Sequence, residues 1–126
     1  MFTISREDKS IHITRGDVAN IAVTANYPDG SPYTFLASDL IRFKVIKKKD
    51  CNCVIFSKDV SVSEETKSVT VHLTKNDTKI GDIINKPVDY WYEVELNPDT
   101  LPQTIIGYDK KGEKIFRLYP EGSDRT

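Results

Sequence analysis

The sequence predicts an all-β domain, a two-layered sandwich of about seven or eight antiparallel strands, and three observations carry this prediction. Apolar and polar residues alternate along Val88–Leu96, as they do in a strand that buries one face. Similar alternating runs recur at spacings of roughly 8–12 residues between turn residues, which is the rhythm of a sandwich or a small barrel. No stretch follows the 3.6-residue period of a long amphipathic helix.

The segment Val88–Leu96 is predicted to be a central strand. Because successive side chains of a strand point to opposite faces, its core-facing side chains are Tyr90, Tyr92, Val94 and Leu96. Its other face carries Trp91, Glu93 and Glu95. Aromatic and β-branched residues suit a pleated, half-buried surface, so the remaining apolar runs are its expected partners.

The same alternation predicts further strands at residues 10–14, 18–27, 39–46, 54–62, 68–73, 103–108 and 113–119. Pro28 and Gly30 mark the turn after residue 27, because proline fixes φ at one corner and glycine relieves the last. Residues 33–35 are predicted to form a brief edge segment. Residues 109–112 are predicted to join the last two strands as a hairpin.

A single helical turn is predicted before the central strand. Thr74 is followed three positions later by Asp77, a variant of the capping box, and Gly81 ends the turn. Such a crossover carries the chain between the two sheets of immunoglobulin-like folds, which is the type of sandwich that we predict. The chain is predicted to be one domain, residues 1–126, with an N-terminal arm at 1–9 and a polar tail at 120–126.

The composition disfavours several kinds of partner. Eighteen basic and nineteen acidic residues give a net charge of -1, so no global field favours nucleic acid or an anionic membrane. No apolar run approaches the roughly 18 residues of a membrane helix. The first residues lack the basic and apolar regions of a secretory signal. We therefore expect synthesis in a cytosol, without a nucleic-acid or membrane partner.

No arrangement of residues predicts catalysis, a cofactor or a metal site. His12 and His72 lie on alternating strands without an orienting partner, so we expect them on sheet surfaces. Glu93 and Glu95 share one strand face, where we expect a solvated pair that meets Arg117. The carboxylates of a glycosidase would instead flank a cleft from different elements. The chain is therefore predicted not to be an enzyme.

Three short motifs have ordinary structural explanations. Cys51 and Cys53 are separated by one residue, which is usually too close for relaxed disulfide geometry, so reduced thiols in a loop or at a strand edge are predicted. Residues 15–17 spell the integrin-binding tripeptide Arg-Gly-Asp, but three residues are a weak signal, and a turn between two strands explains them without a receptor. The basic run at 47–49 has no interleaved aromatic residue and is predicted to be a solvated loop.

The predicted partner-binding residues are Trp91, Arg117, Tyr119 and Tyr33. Arginine, tyrosine and tryptophan are enriched where interfaces concentrate their binding energy. Alternation places Trp91 opposite the core-facing tyrosines, and it places Arg117 and Tyr119 on the outward face of their strand. In the alternative, which the sequence leaves open, the second sheet covers this face and the aromatic residues belong to the core.

The order of several motifs resembles the immunoglobulin-like N-terminal domain of upper baseplate proteins in tailed phages of Gram-positive bacteria. The motifs that carry the resemblance are TRGD at 14–17, YPDGSPY at 27–33 and IRFKV at 41–45. TIIGYD at 104–109 and RLYPEG at 117–122 are similar to small phage structural proteins of the same kind. These motifs are turn signatures and not catalytic residues. Upper baseplate proteins continue beyond this domain, whereas the present sequence stops.

The resemblance implies a non-enzymatic virion protein without a cofactor, an accessory module of the tail, baseplate or capsid. Its expected partners are other virion proteins, either of the tail or baseplate or the major capsid protein, in a symmetric multi-copy assembly. The expected location is the virion, after synthesis in the host bacterial cytoplasm. The competing expectation is a module that binds carbohydrate or the host surface, for which Trp91 or Tyr33 would stack on a sugar.

Overall fold

The computed structural model describes residues 2–4, 9–27, 29–47, 53–81, 84–107 and 114–121. Nearly all regular structure within them is β. The elements are β1 (Phe2–Ile4), β2 (Ile11–Thr14), β3 (Ala19–Val23), β4 (Leu40–Ile46), β5 (Val54–Ser61), β6 (Val69–Leu73), α1 (Lys75–Thr78), β7 (Val88–Leu96), β8 (Gln103–Ile106) and β9 (Ile115–Tyr119). The all-β prediction is confirmed, as are the positions of most strands.

The strands form two sheets. The large sheet has the order β1-β2-β9-β7-β4-β5, with β8 also paired to β7, and the small sheet consists of β3 and β6. The pairs are antiparallel except for β2 and β9, which run parallel. A parallel pair needs a long connection, and here most of the chain lies between the two strands. The all-antiparallel prediction is therefore wrong at this one pair.

Strand β7 is central, as the alternation predicts. One edge pairs with β4 from Trp91 to Leu96. The other edge is shared, since its first half pairs with β9 and its last three residues pair with β8. The predicted hairpin between residues 103–108 and 113–119 is wrong, because β8 and β9 lie end to end along β7 and do not pair with each other. Residues 109–112 lie outside the described residues.

The core fills the space between the sheets. Phe43 of β4 is fully buried at its centre. Its ring stacks on Tyr92 with centroids 5.5 Å apart and meets Phe116 edge-on at 6.4 Å. The small sheet contributes Ile21, Val23, Val71 and Leu73, all buried. Tyr92, Val94 and Leu96 of β7 face this core, so the predicted inner face of the central strand is confirmed.

The crossover begins with the predicted capping box. Thr74 Oγ1 accepts a hydrogen bond from the backbone N–H of Asp77, and Asp77 Oδ2 accepts one from the backbone N–H of Thr74 at 2.8 Å. Asp77 also forms an ion pair of 3.0 Å with Lys58 of β5. By register, Lys58 is the partner of the core residue Phe43, so this lysine lies on the inner side of an edge strand.

Three local expectations need correction. The strand predicted at 18–27 ends at Val23, because the chain turns back through bonds from Tyr27 N–H to Ser31 O and from Gly30 N–H to Tyr27 O. Residues 33–35 form no strand, and Phe35 makes only a single bridge to Thr66. The predicted N-terminal arm contains β1, which pairs with β2.

The prediction of reduced cysteines is wrong at Cys53, which is disulfide-bonded. The prediction rested on the closeness of the two cysteines in the sequence, which usually prevents relaxed disulfide geometry, and on the divergence of their side chains if both lay on one strand. Cys53 precedes β5, which begins at Val54, so the second of these grounds does not apply to it. Cys51 lies outside the described residues.

The Arg-Gly-Asp turn has a structural role. The Arg15 guanidinium is buried and forms an ion pair with Glu121 at 2.5 Å. It also donates hydrogen bonds to the backbone carbonyls of Ile80 and Gly81. Integrin recognition would need this guanidinium at the surface, so the structure disfavours that reading. The predicted polar tail is wrong at Glu121, whose side chain is only 4% exposed.

Candidate functional site

Paired charges cover part of the outer face of the large sheet, the face turned away from the small sheet. Lys44 Nζ lies 2.8 Å from a carboxylate oxygen of Glu95 and 3.7 Å from one of Glu93. Arg42 makes two hydrogen bonds with Asp59, at 2.9 and 3.1 Å. The prediction that Arg117 pairs with these glutamates is wrong, because Lys44 is the cross-strand neighbour of Glu93 and Arg117 pairs with Asp89.

An apolar row crosses the same face. Val54 is the cross-strand partner of Ile46, Ile46 of Trp91, and Trp91 of Ile115. These four residues, which we call the apolar row, lie side by side on four adjacent strands. Ile46 is 7% exposed and Val54 is 48% exposed. The small sheet packs on the opposite face, so Trp91 is not part of the core between the sheets.

Arg117 and Tyr119 lie on the outer face as predicted, and both have partners within the fold. Arg117 donates two hydrogen bonds to Asp89, at 2.6 and 3.0 Å, and these bonds hold the pKa of Asp89 below its usual range. The Tyr119 hydroxyl shares a hydrogen bond of 2.9 Å with Nδ1 of His12, and their rings stack. Nε2 of His12 bonds Ser10 Oγ, which gives this histidine a structural role.

Tyr33 does not join the other three predicted residues. It lies near the far end of β7 from Trp91, beside a pocket of about 240 Å³. The lining residues come from the chain after β3, from the end of β7 and from β8. They are Ala25, Asn26, Tyr27, Tyr33, Leu96, Gln103, Thr104 and Ile105. The outer face and this pocket are therefore two separate candidate sites.

A buried carboxylate fixes the Tyr33 wall of the pocket. Asp39 Oδ2 accepts hydrogen bonds from the Tyr33 hydroxyl at 2.8 Å and from the backbone N–H of Leu36, and Oδ1 accepts one from Asn97. Burial alone would raise the pKa of Asp39, but these bonds outweigh it and hold the pKa below the ordinary value of 3.8. Burial and the bond to Asp39 raise the pKa of Tyr33 to about 12.

We expect Asp39→Asn to lower the free energy of unfolding by about 1–3 kcal/mol at neutral pH, because buried donors lose a charged acceptor. The folded pKa of Asp39 is depressed, so its stabilising effect is complete above the ordinary value of 3.8 and is lost as pH falls through the lower folded value. The difference in the free energy of unfolding between Asp39→Asn and the wild type should therefore become smaller as the pH is lowered. Urea unfolding across this pH range measures it. Asp99→Asn, an exposed partner of Arg42, is the control and should change little.

Sequence reasoning missed part of both sites. The apolar row depends on which residues of different strands lie opposite each other, and a single alternating strand does not give this register. The alternation predicts that Tyr27 belongs to a strand, but Tyr27 is 52% exposed and lies beyond the end of β3 at Val23. The pair Pro28 and Gly30, which marks the turn, was the signal that could have placed Tyr27 at the surface.

Comparison with protein-family models, curated proteins and solved structures finds no match to this chain. Among the described residues, no group of three or more histidine, cysteine, aspartate or glutamate side chains is placed to bind a metal ion. No helix in the described part of the chain has the length and apolar character needed to cross a membrane. The two sites are therefore interpreted from their own geometry.

Proposed function

We propose that this chain is a non-enzymatic structural protein of a phage virion, an immunoglobulin-like accessory module of the tail, baseplate or capsid. It docks on other virion proteins through the outer face of its large sheet. The apolar row is the observation that carries this proposal. The resemblance of the turn motifs to phage baseplate domains supplies the biological context.

The strand order supports the immunoglobulin-like assignment. β2, β9, β7, β4 and β5 follow one another in one sheet, and β3 pairs with β6 in the other. The one-turn helix α1 lies between β6 and β7 and takes the chain from the small sheet to the large one. Variable-type immunoglobulin domains likewise place their last strands beside the third strand, with extra strands on that sheet's edge. Antibody domains bury a tryptophan against a disulfide that joins the two sheets. Here Trp91 lies on the outer face and Cys53 precedes β5, so this chain differs from antibody domains in both features.

The outer face has the composition of an interface. Protein interfaces combine an apolar centre with a polar rim, and their binding energy concentrates at tryptophan, tyrosine and arginine. Here Trp91 lies within the apolar row, and the ion pairs of Lys44 with Glu95 and of Arg117 with Asp89 flank it. Because these charges already have partners, docking would leave few of them unpaired. Desolvating an unpaired charge would oppose binding strongly.

Copy number would strengthen a modest contact. A face with one apolar row forms a small interface, which by itself favours transient binding. Repetition on a symmetric particle, together with attachment at more than one point, raises the effective affinity without any new kind of contact. The proposed partners are therefore virion proteins that repeat around the tail, baseplate or capsid.

Trp91→Ala is expected to reduce incorporation into particles, by roughly thirtyfold in affinity if Trp91 is a hot spot worth about 2 kcal/mol. Particles would be grown with each variant as the sole source of the chain and their copies counted by quantitative mass spectrometry. Val18→Ala is the matched control, because Val18 is 58% exposed and precedes a strand of the small sheet. Circular dichroism must show that both variants are folded.

The outcomes separate the proposals. A folded Trp91→Ala chain present at the wild-type copy number overturns docking through this face. Absence of the wild-type chain from purified particles overturns the virion assignment altogether. Normal incorporation with loss of cell or glycan binding in the same variant supports the competing function, a module that binds carbohydrate or the host surface through Trp91. A wild-type copy number that matches capsid multiples indicates the head, and one that matches tail symmetry indicates the baseplate.

A further inference from the structure

The described residues that line the pocket beside Tyr33 are all uncharged, in a chain of which 29% of residues are charged. Its walls are apolar, aromatic, amide or hydroxyl groups. A site for a phosphate, a carboxylate or a cation would place an opposite charge where the ligand binds. The composition of this pocket therefore favours an electrically neutral ligand.

Several polar groups of the pocket are uncommitted. Among the described residues, the side chains of Asn26, Gln103 and Thr104 and the hydroxyl of Tyr27 form no hydrogen bond within the protein, and Asn26, Gln103 and Thr104 are exposed. Amides and hydroxyls both donate and accept. A ligand with several hydroxyl groups would find complementary partners on more than one wall.

Tyr27 adds an exposed aromatic surface beside a fixed one. Its ring is 52% exposed and meets the Tyr33 ring edge-on, with centroids 5.6 Å apart. Tyr33 also meets Phe35 edge-on at 5.3 Å, and its hydroxyl is held by Asp39. An aromatic face carries partial negative charge, which suits the weakly positive C–H groups on one side of a sugar ring.

We propose that this pocket binds one neutral saccharide unit, stacked on Tyr27 and hydrogen-bonded by Asn26 and Gln103. At about 240 Å³, the pocket is smaller than the roughly 300–1,000 Å³ that encloses a drug-sized molecule, so it takes a single ring of a longer glycan. This inference does not rest on the virion role, because the pocket is lined by Leu96 at the end of β7, on the core side, whereas the apolar row crosses the outer face at Trp91.

The test uses the purified chain and methyl glycosides of glucose, galactose, mannose and N-acetylglucosamine, whose methyl group stands in for the rest of a glycan. Binding is followed by ligand-observed saturation-transfer NMR and by shifts of the protein amide signals. At least one glycoside is expected to bind with millimolar affinity and to shift the signals of Asn26 and Gln103. Glucuronic acid, a charged sugar of similar size, should bind more weakly because none of the described residues that line the pocket is basic.

Tyr27→Ala is expected to weaken binding of the glycoside about tenfold, the equivalent of one lost aromatic contact. Tyr27→Phe keeps the ring and should retain most of the affinity. Leu101→Ala is the control, because Leu101 is 78% exposed and does not line the pocket. The proposal is overturned if none of the glycosides shifts a pocket signal at tens of millimolar. It is equally overturned if Tyr27→Ala binds as wild type does. Neither outcome bears on incorporation into particles.

Discussion

Replacing Phe43 by alanine is expected to lower the free energy of unfolding by about 3–5 kcal/mol. Its ring lies at the centre of the core, in contact with rings from three other strands. They belong to Tyr92, Phe116 and Phe56, with centroids 5.5, 6.4 and 6.3 Å from that of Phe43. β4 is paired with β5 on one edge and with β7 on the other, so the surrounding strands have little freedom to close the cavity. Urea unfolding followed by the fluorescence of Trp91 measures the loss.

Phe56→Ala is the matched control for this substitution. Phe56 is the cross-strand neighbour of Val45 on the edge strand β5, and it is only half-buried. The same truncation there leaves a space that solvent and neighbouring side chains can fill. The expected loss in the free energy of unfolding is therefore roughly half that of Phe43→Ala, or less. Equal losses for the two variants would contradict the central place of Phe43 in the core.

Arg15→Met is expected to destabilise the fold by about 3–5 kcal/mol, because it leaves the Glu121 carboxylate buried without its cation. Glu121 Oε2 already has no hydrogen-bond partner, and the carbonyls of Ile80 and Gly81 would lose a donor as well. The loss is again measured by urea unfolding at neutral pH. Arg117→Met removes the same kind of side chain from an exposed ion pair and should have little effect, since solvent screens such pairs.

A double substitution separates the charge from the packing. Arg15→Met combined with Glu121→Leu removes both charges together, so it should be more stable than Arg15→Met alone. If the double variant is as unstable as the single one, the buried carboxylate is not the cause. The loss would then arise from the hydrogen bonds between Arg15 and the crossover.

The sequence was informative where a structure depends on neighbouring residues. Alternation along Val88–Leu96 predicted the buried face of β7, and the spacing of Thr74 and Asp77 predicted the capping box. The outward orientation of Trp91 followed from the same alternation. These features need no knowledge of the remaining chain, because strand pleating and helix capping act within a few residues.

Features that join distant residues were not predictable. Arg15 and Glu121 are 106 positions apart, and neither has a local pattern that indicates burial. Local residue preferences do not determine that β2 pairs in parallel with β9, or that β8 and β9 share one edge of β7. Both features depend on the topology of the whole chain. The apolar row likewise required the register of four strands. Short-range patterns therefore predicted the class of fold and one side of each strand, but not the surface that the strands form together.

The position of Lys58 affects whether copies of this chain can associate through the edge of the large sheet. Among the described residues, β5 is an edge strand of eight residues that pairs on one side only, and such edges are templates on which further chains can add. A strand added beside β5 would enclose the ammonium group of Lys58, which lies on the inner side and is held by Asp77. Burying that charge would oppose the addition of a strand at this edge, so Lys58 is expected to limit fibrous growth of the chain at high concentration.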